Sequence, residues 1–263
     1  MSWSRARPSV RAGGLSTGAD AQAGSPGAWS VTLPAGTAMV CGGRTDGDFA
    51  DPATAVAGGA SRALADVPWT WLRQVHGSAV VVVDRPGANR GQEADAAVTC
   101  CAGAGLVVLT ADCAPVGLSS PEGVAGVLHA GWRGLMAGVV GATVAAMRAL
   151  GATRVQAALG PCIWPHAYRF SDGDLADVVS AFGPAVRSVD AAGSPALDLP
   201  AAVAVALERS GAALVAKAGI CTHCSDDHWS WRAGRDQGRQ ATVVWRPPAP
   251  PTASPGAAPG SRL

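Results

Sequence analysis

Short apolar runs, separated by turn-forming and polar residues, are the feature of this sequence that most limits its fold. Nine such runs, rich in Val, Leu, Ala and Trp, lie at 38–41, 69–75, 79–84, 95–99, 106–110, 124–128, 155–159, 214–218 and 242–245. Their short length and their branched and aromatic residues favour strands over helices. The chain is therefore expected to build most of its core from β-sheet.

Helical periodicity is present in fewer segments. An apolar stripe predicts a helix over 135–150, and a second helix is predicted over 198–210 with Asp198 as its cap. Weaker helical patterns cover 172–182 and 54–65. Many strands with a few interspersed helices predict an α+β domain.

The two ends of the chain differ in composition from its middle. Residues 1–36 are rich in Gly, Ser, Ala and Pro and show no helix or strand period, and residues 247–263 contain six prolines. Such segments are typical of disordered tails. A single catalytic domain is therefore predicted over 37–246, because no linker inside that range is strong enough to divide it.

Charge and hydropathy exclude two classes of partner. The net charge is +1 and no basic tract occurs, so nucleic acid is not expected as the main partner. The longest apolar run near the middle, 96–111, falls short of the ~20 residues that span a bilayer. The N-terminus lacks the apolar stretch of a signal peptide, and seven cysteines do not resemble a disulfide framework. We expect a cytoplasmic protein that binds neither nucleic acid nor membrane.

Three predicted strands lead into a residue that binds metals. His76 follows the strand at 69–75, Cys113 follows the strand at 106–110, and His129 follows the strand at 124–128. If neighbouring strands bring these ends to one edge, two imidazoles and a thiolate would hold zinc and leave a fourth position open. The alternative is that each is an ordinary core or loop residue.

A glycine-rich turn, His129-Ala-Gly131-Trp-Arg133-Gly134, precedes the predicted helix at 135–150. Free backbone N–H groups at a helix start, together with the Arg133 fork, would suit a phosphate or carboxylate. An ordinary strand-to-helix turn with a surface arginine explains the pattern equally well.

The segment Cys221-Thr-His223-Cys224 contains a C-x-x-C pair. Such a pair is half of a structural zinc site or a redox pair. No second C-x-x-C occurs in the sequence to complete a zinc site. A loop with incidental thiols is the favoured interpretation.

Six motifs occur in one order along the chain. They are Arg73-Gln-Val-His76-Gly, Ala94-Asp95-Ala-Ala-Val-Thr99, Ala111-Asp112-Cys113-Ala-Pro115, His129-Ala-Gly-Trp-Arg133-Gly, Gly160-Pro-Cys162-Ile, and Trp229-Ser230-Trp-Arg232 with Gly238-Arg239. Together they closely resemble the YfiH-type family, also called the laccase-domain or multicopper polyphenol oxidoreductase family. The resemblance covers about residues 38–246.

The resemblance implies both a fold and a metal site. The fold is a four-layer α+β sandwich in which two mixed β-sheets pack between helices. Zinc is bound through the His of Q-V-H, the Cys of A-D-C and the His of H-A-G-W, which here are His76, Cys113 and His129. The strand ends indicate the same three residues.

Family members are purine nucleoside phosphorylases, with adenosine deaminase and methylthioadenosine phosphorylase activities as well. The resemblance therefore implies a zinc enzyme that takes purine nucleosides (adenosine, inosine, methylthioadenosine) and phosphate. Arg133, Arg232 and Arg44 are the expected substrate-binding residues. Many family members carry an Arg-x-Gly-Gly-x-Ser motif near the N-terminus, and the letters at Arg11 match it. Arg44 is chosen as the matching position because it follows a predicted strand and lies closer to His76. Asp112, which adjoins Cys113, is expected to act in catalysis by orienting a ligand or exchanging a proton, or else to cap a turn.

Two other functions are compatible with these residues. Some bacterial members are linked to editing peptidoglycan precursors, and the fold is similar to that of a Cys-His deamidating toxin. A hydrolase of this kind would use Cys113 as nucleophile and His129 as base. The older family name reflects a copper-dependent phenol oxidase activity, so Cu²⁺ is a second possible metal. Five histidines without an H-x-H pair are too few for a multicopper cluster, which favours zinc.

Overall fold

The computed structural model of the protein describes residues 25–248. Its first sheet has six strands: β1 (Trp29–Leu33), β2 (Thr37–Cys41), β3 (Trp69–Arg73), β5 (Gln92–Glu93), β7 (Gly105–Thr110) and β14 (Gln240–Trp245). They lie in the order β1-β2-β14-β7-β3-β5. The β3 strand runs parallel to β7 and β5, and the other pairs are antiparallel.

The second sheet also has six strands: β4 (Val80–Val82), β6 (Ala96–Thr99), β8 (Ala114–Ser119), β9 (Ala125–Ala130), β10 (Val155–Leu159) and β13 (Ala212–Lys217). Their order is β13-β10-β8-β9-β6-β4, with parallel pairs at both edges. A separate hairpin pairs β11 (Arg187–Val189) with β12 (Pro195–Leu197).

Helices cover the outer faces of the two sheets. The described helices are α1 (Pro52–Ala57), α2 (Trp132–Met136), α3 (Val139–Ala149), α4 (Asp172–Phe182), α5 (Leu199–Arg209) and α6 (Trp231–Gly234). The long helices α3, α4 and α5 pack on the second sheet, whereas α1 and its following turn pack on the first. Helix, sheet, sheet and helix form the four-layer α+β sandwich expected from the motifs.

Strands buried on both faces explain the continuous apolar runs in the sequence. In β7, Leu106 and Val108 belong to the core between the sheets, and the alternate residue Val107 belongs to the core under α1. Side chains of a strand point alternately to its two faces, so both faces must be apolar here. The predicted strands at 38–41, 106–110 and 155–159 agree with β2, β7 and β10 to within a residue or two.

Part of the segment predicted as an N-terminal tail forms regular structure. Strand β1 lies inside the segment 1–36 that composition predicts as a tail, and it pairs with β2 as a hairpin. Val31 and Leu33 are buried between the sheets. The five residues of β1 stand among many Gly, Ser and Pro, so the composition of the segment does not reveal a strand. Residues 1–24, which include Arg11, and residues 249–263 lie outside the described residues.

Strand β8 is absent from the sequence prediction because it contains Pro115 and Gly117, which argue against a central strand. The fold tolerates both residues. Pro115 lies opposite His129, whose backbone N–H donates to the backbone oxygen of Asp95, so no N–H from the proline is needed on the β9 side. On the other side the carbonyl of Pro115 accepts from the N–H of Gly160, which lies just past the end of β10. A Cβ on Gly117 would lie 2.6 Å from Met39 Sδ of the facing sheet, so glycine permits the close packing.

The helix predicted over 135–150 is two helices. Helix α2 begins earlier, at Trp132, and Gly138 separates it from α3 with a φ of +89°. A left-handed backbone interrupts a helix and favours glycine. The segment 54–65 is interrupted in the same way at Gly59, after α1 ends at Ala57.

No helix within residues 25–248 is long and apolar enough to cross a bilayer. All seven cysteines fall in this part of the chain, and all are free thiols.

Candidate functional site

His76, Cys113 and His129 lie together at the place where the two sheets meet. His76 follows β3 of the first sheet, His129 is in β9 of the second, and Cys113 lies on the short connection from β7 to β8 that passes between the sheets. Their ligand atoms are all within 4.8 Å of one another. His76 Nε2 is 3.7 Å from Cys113 Sγ, and the two imidazole rings are edge to face with centroids 4.8 Å apart. The structure thus brings together the three residues predicted as metal ligands.

The carboxylate of Asp95, a residue to which the motifs gave no role, fixes both histidines. It accepts a hydrogen bond from His129 Nδ1 at 2.8 Å, which leaves Nε2 facing the cluster. It also accepts the backbone N–H groups of Val75, His76 and Gly77. Asp95 is fully buried at the start of β6. A charged residue immediately before a buried apolar strand was the available signal for such a role.

Gln74 holds the end of β3 against β7. Its side-chain amide donates to the backbone oxygen of Leu109 and accepts from the backbone N–H of the same residue, both at 2.8 Å. His76 comes two residues later with a φ of +59°. A positive φ is uncommon for any residue other than glycine, and it persists only where the surrounding structure holds the backbone in that conformation. Gln74 and Asp95 provide these constraints.

Cys113 and His129 form a charged pair when no metal is bound. Burial raises the pKa of the Cys113 thiol, but the charge of His129 and hydrogen bonds from both histidines outweigh burial and lower the pKa to about 6. Burial lowers the pKa of His129, yet the Cys113 thiolate and Asp95 raise it to about 9. At neutral pH the thiolate is therefore the stable form of Cys113, and thiolate is the form that binds metals.

The donor set fits a zinc ion. Two imidazole nitrogens and one thiolate sulfur are preferred zinc ligands, and three protein ligands are typical of sites that keep one position open. The buried Asp95–His129 hydrogen bond is the outer-shell partner that metal-binding histidines usually have.

Gly131 lies directly against the cluster. A Cβ at this position would be 2.6 Å from His76 Cδ2 and 3.1 Å from Cys113 Sγ. Only glycine fits at this position without steric conflict, since any side chain would displace His76 or Cys113.

Asp112 is bonded to the C-terminal segment. Its carboxylate accepts hydrogen bonds from the hydroxyls of Thr222 and Ser230, at 2.8 and 2.7 Å, and from the backbone N–H of Arg232 at 2.6 Å. Asp112 has a φ of +94°, which is strained for a residue with a side chain. These contacts favour a positioning role beside Cys113, and direct participation in catalysis stays a prediction.

A cavity of about 610 Å³ opens over the cluster. Arg133, Arg232 and Arg239 line it, as do the aromatic side chains of Trp132, Tyr168 and Trp231. The Arg133 guanidinium lies 4.5 Å from the Trp132 ring and that of Arg232 lies 5.0 Å from the Tyr168 ring. This volume is within the usual range for small-molecule sites. Two of the predicted substrate residues, Arg133 and Arg232, therefore face the same space as the metal ligands.

Arg44 is placed elsewhere. Its guanidinium forms an ion pair with Asp236, donates to the backbone oxygen of His228 at 2.8 Å, and lies 4.1 Å from the Trp229 ring. It is not among the residues that line the cavity, whereas Arg239 is. Arg44 thus braces the C-terminal segment. Arg239 occurs in a recognised motif, but sequence alone did not indicate which arginines face the site.

Two facing mixed sheets, with a His/Cys/His cluster at their junction that could hold a metal ion, define the class of α+β protein to which this chain belongs. The sequence matches the family described as "Multi-copper polyphenol oxidoreductase laccase" over residues 47–247. The chain belongs to this family, which confirms the resemblance drawn from the six motifs.

Similar proteins agree with this assignment. A Streptomyces coelicolor protein named purine nucleoside phosphorylase is 45% identical over 179 residues, 66% of this chain and 74% of that protein. A Xylella fastidiosa protein of the same name is 43% identical over 189 residues, 66% of this chain and 71% of its own length. The crystal structure of Bacillus licheniformis YfiH has a TM-score of 0.72 at 18% identity and covers 86% of this chain and 98% of that one. The last comparison supports the fold.

Proposed function

We propose that this protein is a zinc-dependent purine nucleoside phosphorylase that also deaminates adenosine and acts in the cytoplasm. The observation that carries the proposal is that the His76–Cys113–His129 cluster and three arginines open onto one cavity. Relatives that are 45% and 43% identical bear the name purine nucleoside phosphorylase. The proposed substrates are phosphate and adenosine, inosine or methylthioadenosine.

Aromatic walls provide a place for the base. Trp132, Tyr168 and Trp231 line the cavity, and Trp231 is 45% exposed although it is a large apolar side chain. Aromatic rings bind flat heterocycles by stacking, and each such contact contributes about 0.5–1.5 kcal/mol beyond area burial. An exposed tryptophan at the mouth of a cavity is therefore a suitable partner for a purine.

Arginines provide the phosphate site. In phosphorolysis a phosphate oxygen forms a bond to C1′ of the ribose while the C1′–N9 bond breaks and the base leaves with the electron pair. Arg133, Arg232 and Arg239 would hold the phosphate and its negative charge by forked hydrogen bonds. This assignment depends on the side chains rather than on α2, which has only five residues.

Zinc would be held by His76, Cys113 and His129, and when bound it supplies the Lewis acidity that addition of water to a purine ring requires. Asp95 keeps His129 in the tautomer whose Nε2 faces the cluster. The chain thus provides one orienting carboxylate, three ligands and a cavity for the nucleoside.

A second candidate function is a metal-free Cys-His hydrolase, for example one that cleaves an amide of a peptidoglycan precursor. The specific observation is the Cys113 thiolate, whose pKa is lowered to about 6 beside a protonated His129. This pairing resembles that of cysteine nucleophiles. Oxidation by a multicopper cluster is less well supported, because the two His/Cys clusters of the described chain contain three histidines in total.

A nucleoside panel assayed with and without phosphate tests the proposal. Zinc-loaded protein should release hypoxanthine from inosine only when phosphate is present, with ribose 1-phosphate as the second product. Adenosine should also yield inosine and ammonia. Removal of zinc by a chelator should abolish both reactions. Activity that survives or rises after chelation would instead support the thiol hydrolase.

A further inference from the structure

A second cluster of metal-binding side chains lies outside the cavity. The lack of a second C-x-x-C in the sequence favours a loop with incidental thiols for Cys221 and Cys224. The structure adds a ligand from a distant segment: His166 Nε2 is 3.0 Å from Cys224 Sγ, although 58 residues separate the two. The ligand atoms of His166, Cys221 and Cys224 all lie within 4.8 Å of one another.

Backbone hydrogen bonds hold the two segments side by side. The N–H of Cys162 donates to Ile220 O at 3.2 Å, and the N–H of Thr222 donates to Cys162 O at 3.1 Å. His166 lies in a 3₁₀ turn at Pro165–Ala167, and Cys224 ends another at Thr222–Cys224. The three side chains therefore converge from a fixed backbone frame and not from a flexible loop.

We infer that His166, Cys221 and Cys224 form a second metal site that takes a thiophilic ion, with Zn²⁺ as the first choice. Two sulfurs and one imidazole nitrogen match the Cys/His sets of structural zinc sites. His223 Nδ1 lies 3.8 Å from Cys224 Sγ on the same turn, but His223 is not part of the three-residue cluster. This cluster has two sulfurs and one imidazole, whereas the cavity cluster has one sulfur and two imidazoles.

A Cys221–Cys224 disulfide is the main competing interpretation. Both cysteines are free thiols here. A disulfide would involve only the two cysteines and would not account for the contact between His166 and Cys224. A metal site would use the side chains of His166, Cys221 and Cys224 together. The position of His166 is thus the observation that separates the two interpretations.

The site would brace one wall of the cavity. Thr222 lies between the two cysteines and donates its hydroxyl to Asp112, the neighbour of Cys113. Arg232 and Arg239 follow on the same C-terminal segment. A metal bound at the second site would link this segment to the turn that precedes Tyr168. The metal site itself does not depend on the proposed function.

Metal content per chain tests the inference. Purified protein is saturated with Zn²⁺, freed of excess metal by gel filtration and measured by elemental analysis. We expect two zinc ions per chain in the wild type, one in Cys113→Ser and one in Cys224→Ser. Cys100→Ser removes an exposed thiol and is the matched control, which should keep two. A zinc content that is the same in folded Cys224→Ser as in the wild type would overturn the inference. A single wild-type ion that Cys224→Ser loses and Cys113→Ser keeps would contradict the cavity site instead.

A His166→Ala variant keeps both thiols and guards against misfolding of the cysteine variants. Loss of even an outer-shell partner costs about 10–100-fold in metal affinity, so loss of a ligand should weaken the second site by at least about 100-fold. The measurement is chelator competition in the Cys113→Ser background, with Co²⁺ as the probe and its thiolate charge-transfer band as the readout. An unchanged affinity in His166→Ala, or no band in the background protein, would overturn the inference.

Discussion

Asp95 and His129 form a buried pair, with an Asp95 oxygen 2.8 Å from His129 Nδ1 and side-chain exposures of 0% and 4%. The same carboxylate accepts three backbone N–H groups from residues 75–77. One buried group therefore sets the tautomer of His129 and the backbone conformation at His76, two of the three proposed metal ligands. The pKa of Asp95 is lowered because these hydrogen bonds outweigh the effect of burial, so it remains a carboxylate.

Asp95→Asn should weaken zinc binding about 10–100-fold, the usual cost of losing an outer-shell partner. The amide nitrogen that this substitution introduces cannot accept from the N–H groups of residues 75–77, and the unpaired donor should cost about 1–3 kcal/mol of folding free energy. Chelator competition and urea unfolding measure the two effects. Asp84→Asn, at a carboxylate that is 73% exposed, is the control and should change neither. Equal zinc affinity in both variants would contradict the role given to Asp95.

Gly131→Ala should displace His76 or Cys113 and remove most of the bound zinc. The added Cβ would lie 2.6 Å from His76 Cδ2, which is closer than atoms in contact can approach. Gly173→Ala introduces the same methyl group in α4, where nothing lies within 4 Å, and should leave zinc content unchanged. Elemental analysis of the two variants decides, with circular dichroism as the check on folding. A folded Gly131→Ala protein with full zinc would refute the close approach.

Cys113 should react with iodoacetamide at unusually low pH in the metal-free protein. Thiolate is the reactive form, and a pKa lowered to about 6 means that the thiolate is lost only as pH falls through about 6. In urea the environment is removed, so the midpoint should rise toward the ordinary value of about 8.5. Mass spectrometry of the Cys113 peptide gives the rate at each pH, and added zinc should protect it. Identical midpoints in folded and unfolded protein would show that His129 does not stabilise the thiolate.

Asp112→Asn should raise KM for the nucleoside and leave zinc content unchanged. Its carboxylate holds Thr222, Ser230 and the backbone of Arg232, so the substitution loosens the wall that carries Arg232. A positioning role predicts an unchanged pH profile of kcat. If Asp112 exchanges a proton in the reaction, the pH profile of kcat should lose its acidic or its basic limb in Asp112→Asn. That result would contradict the positioning role and support a catalytic one.

The clustering of His76, Cys113 and His129 was predictable because each follows a short apolar run, a local pattern that the sequence displays directly. The same holds for β7 and β10, whose buried positions are filled almost entirely by Val, Leu and Ala. Strand β8 was hidden by Pro115 and Gly117, which fit here because Pro115 lies beside the end of β10 and Gly117 packs against Met39. Such compensations come from distant parts of the chain and leave no local signal.

Contacts between side chains that are far apart in the sequence could not be predicted either. Arg44 was expected to bind substrate. In the structure it forms an ion pair with Asp236 and lies over the Trp229 ring, two residues that follow it by nearly two hundred positions. His166 reaches Cys224 for the same reason, because two turns are held together by bonds from Cys162. Sequence order gives residue types and local elements, whereas the choice among several arginines or histidines depends on the tertiary fold.

Hypoxanthine release from inosine, measured against phosphate concentration, tests the central claim most directly. Zinc-loaded wild-type protein should show a rate that rises and saturates with phosphate, with one ribose 1-phosphate formed per hypoxanthine. Cys113→Ser replaces a soft thiolate with a weakly ionised hydroxyl and should lose the cavity zinc and at least about 99% of the rate. Absence of hypoxanthine at every phosphate concentration, or release that does not depend on phosphate, would contradict the assignment.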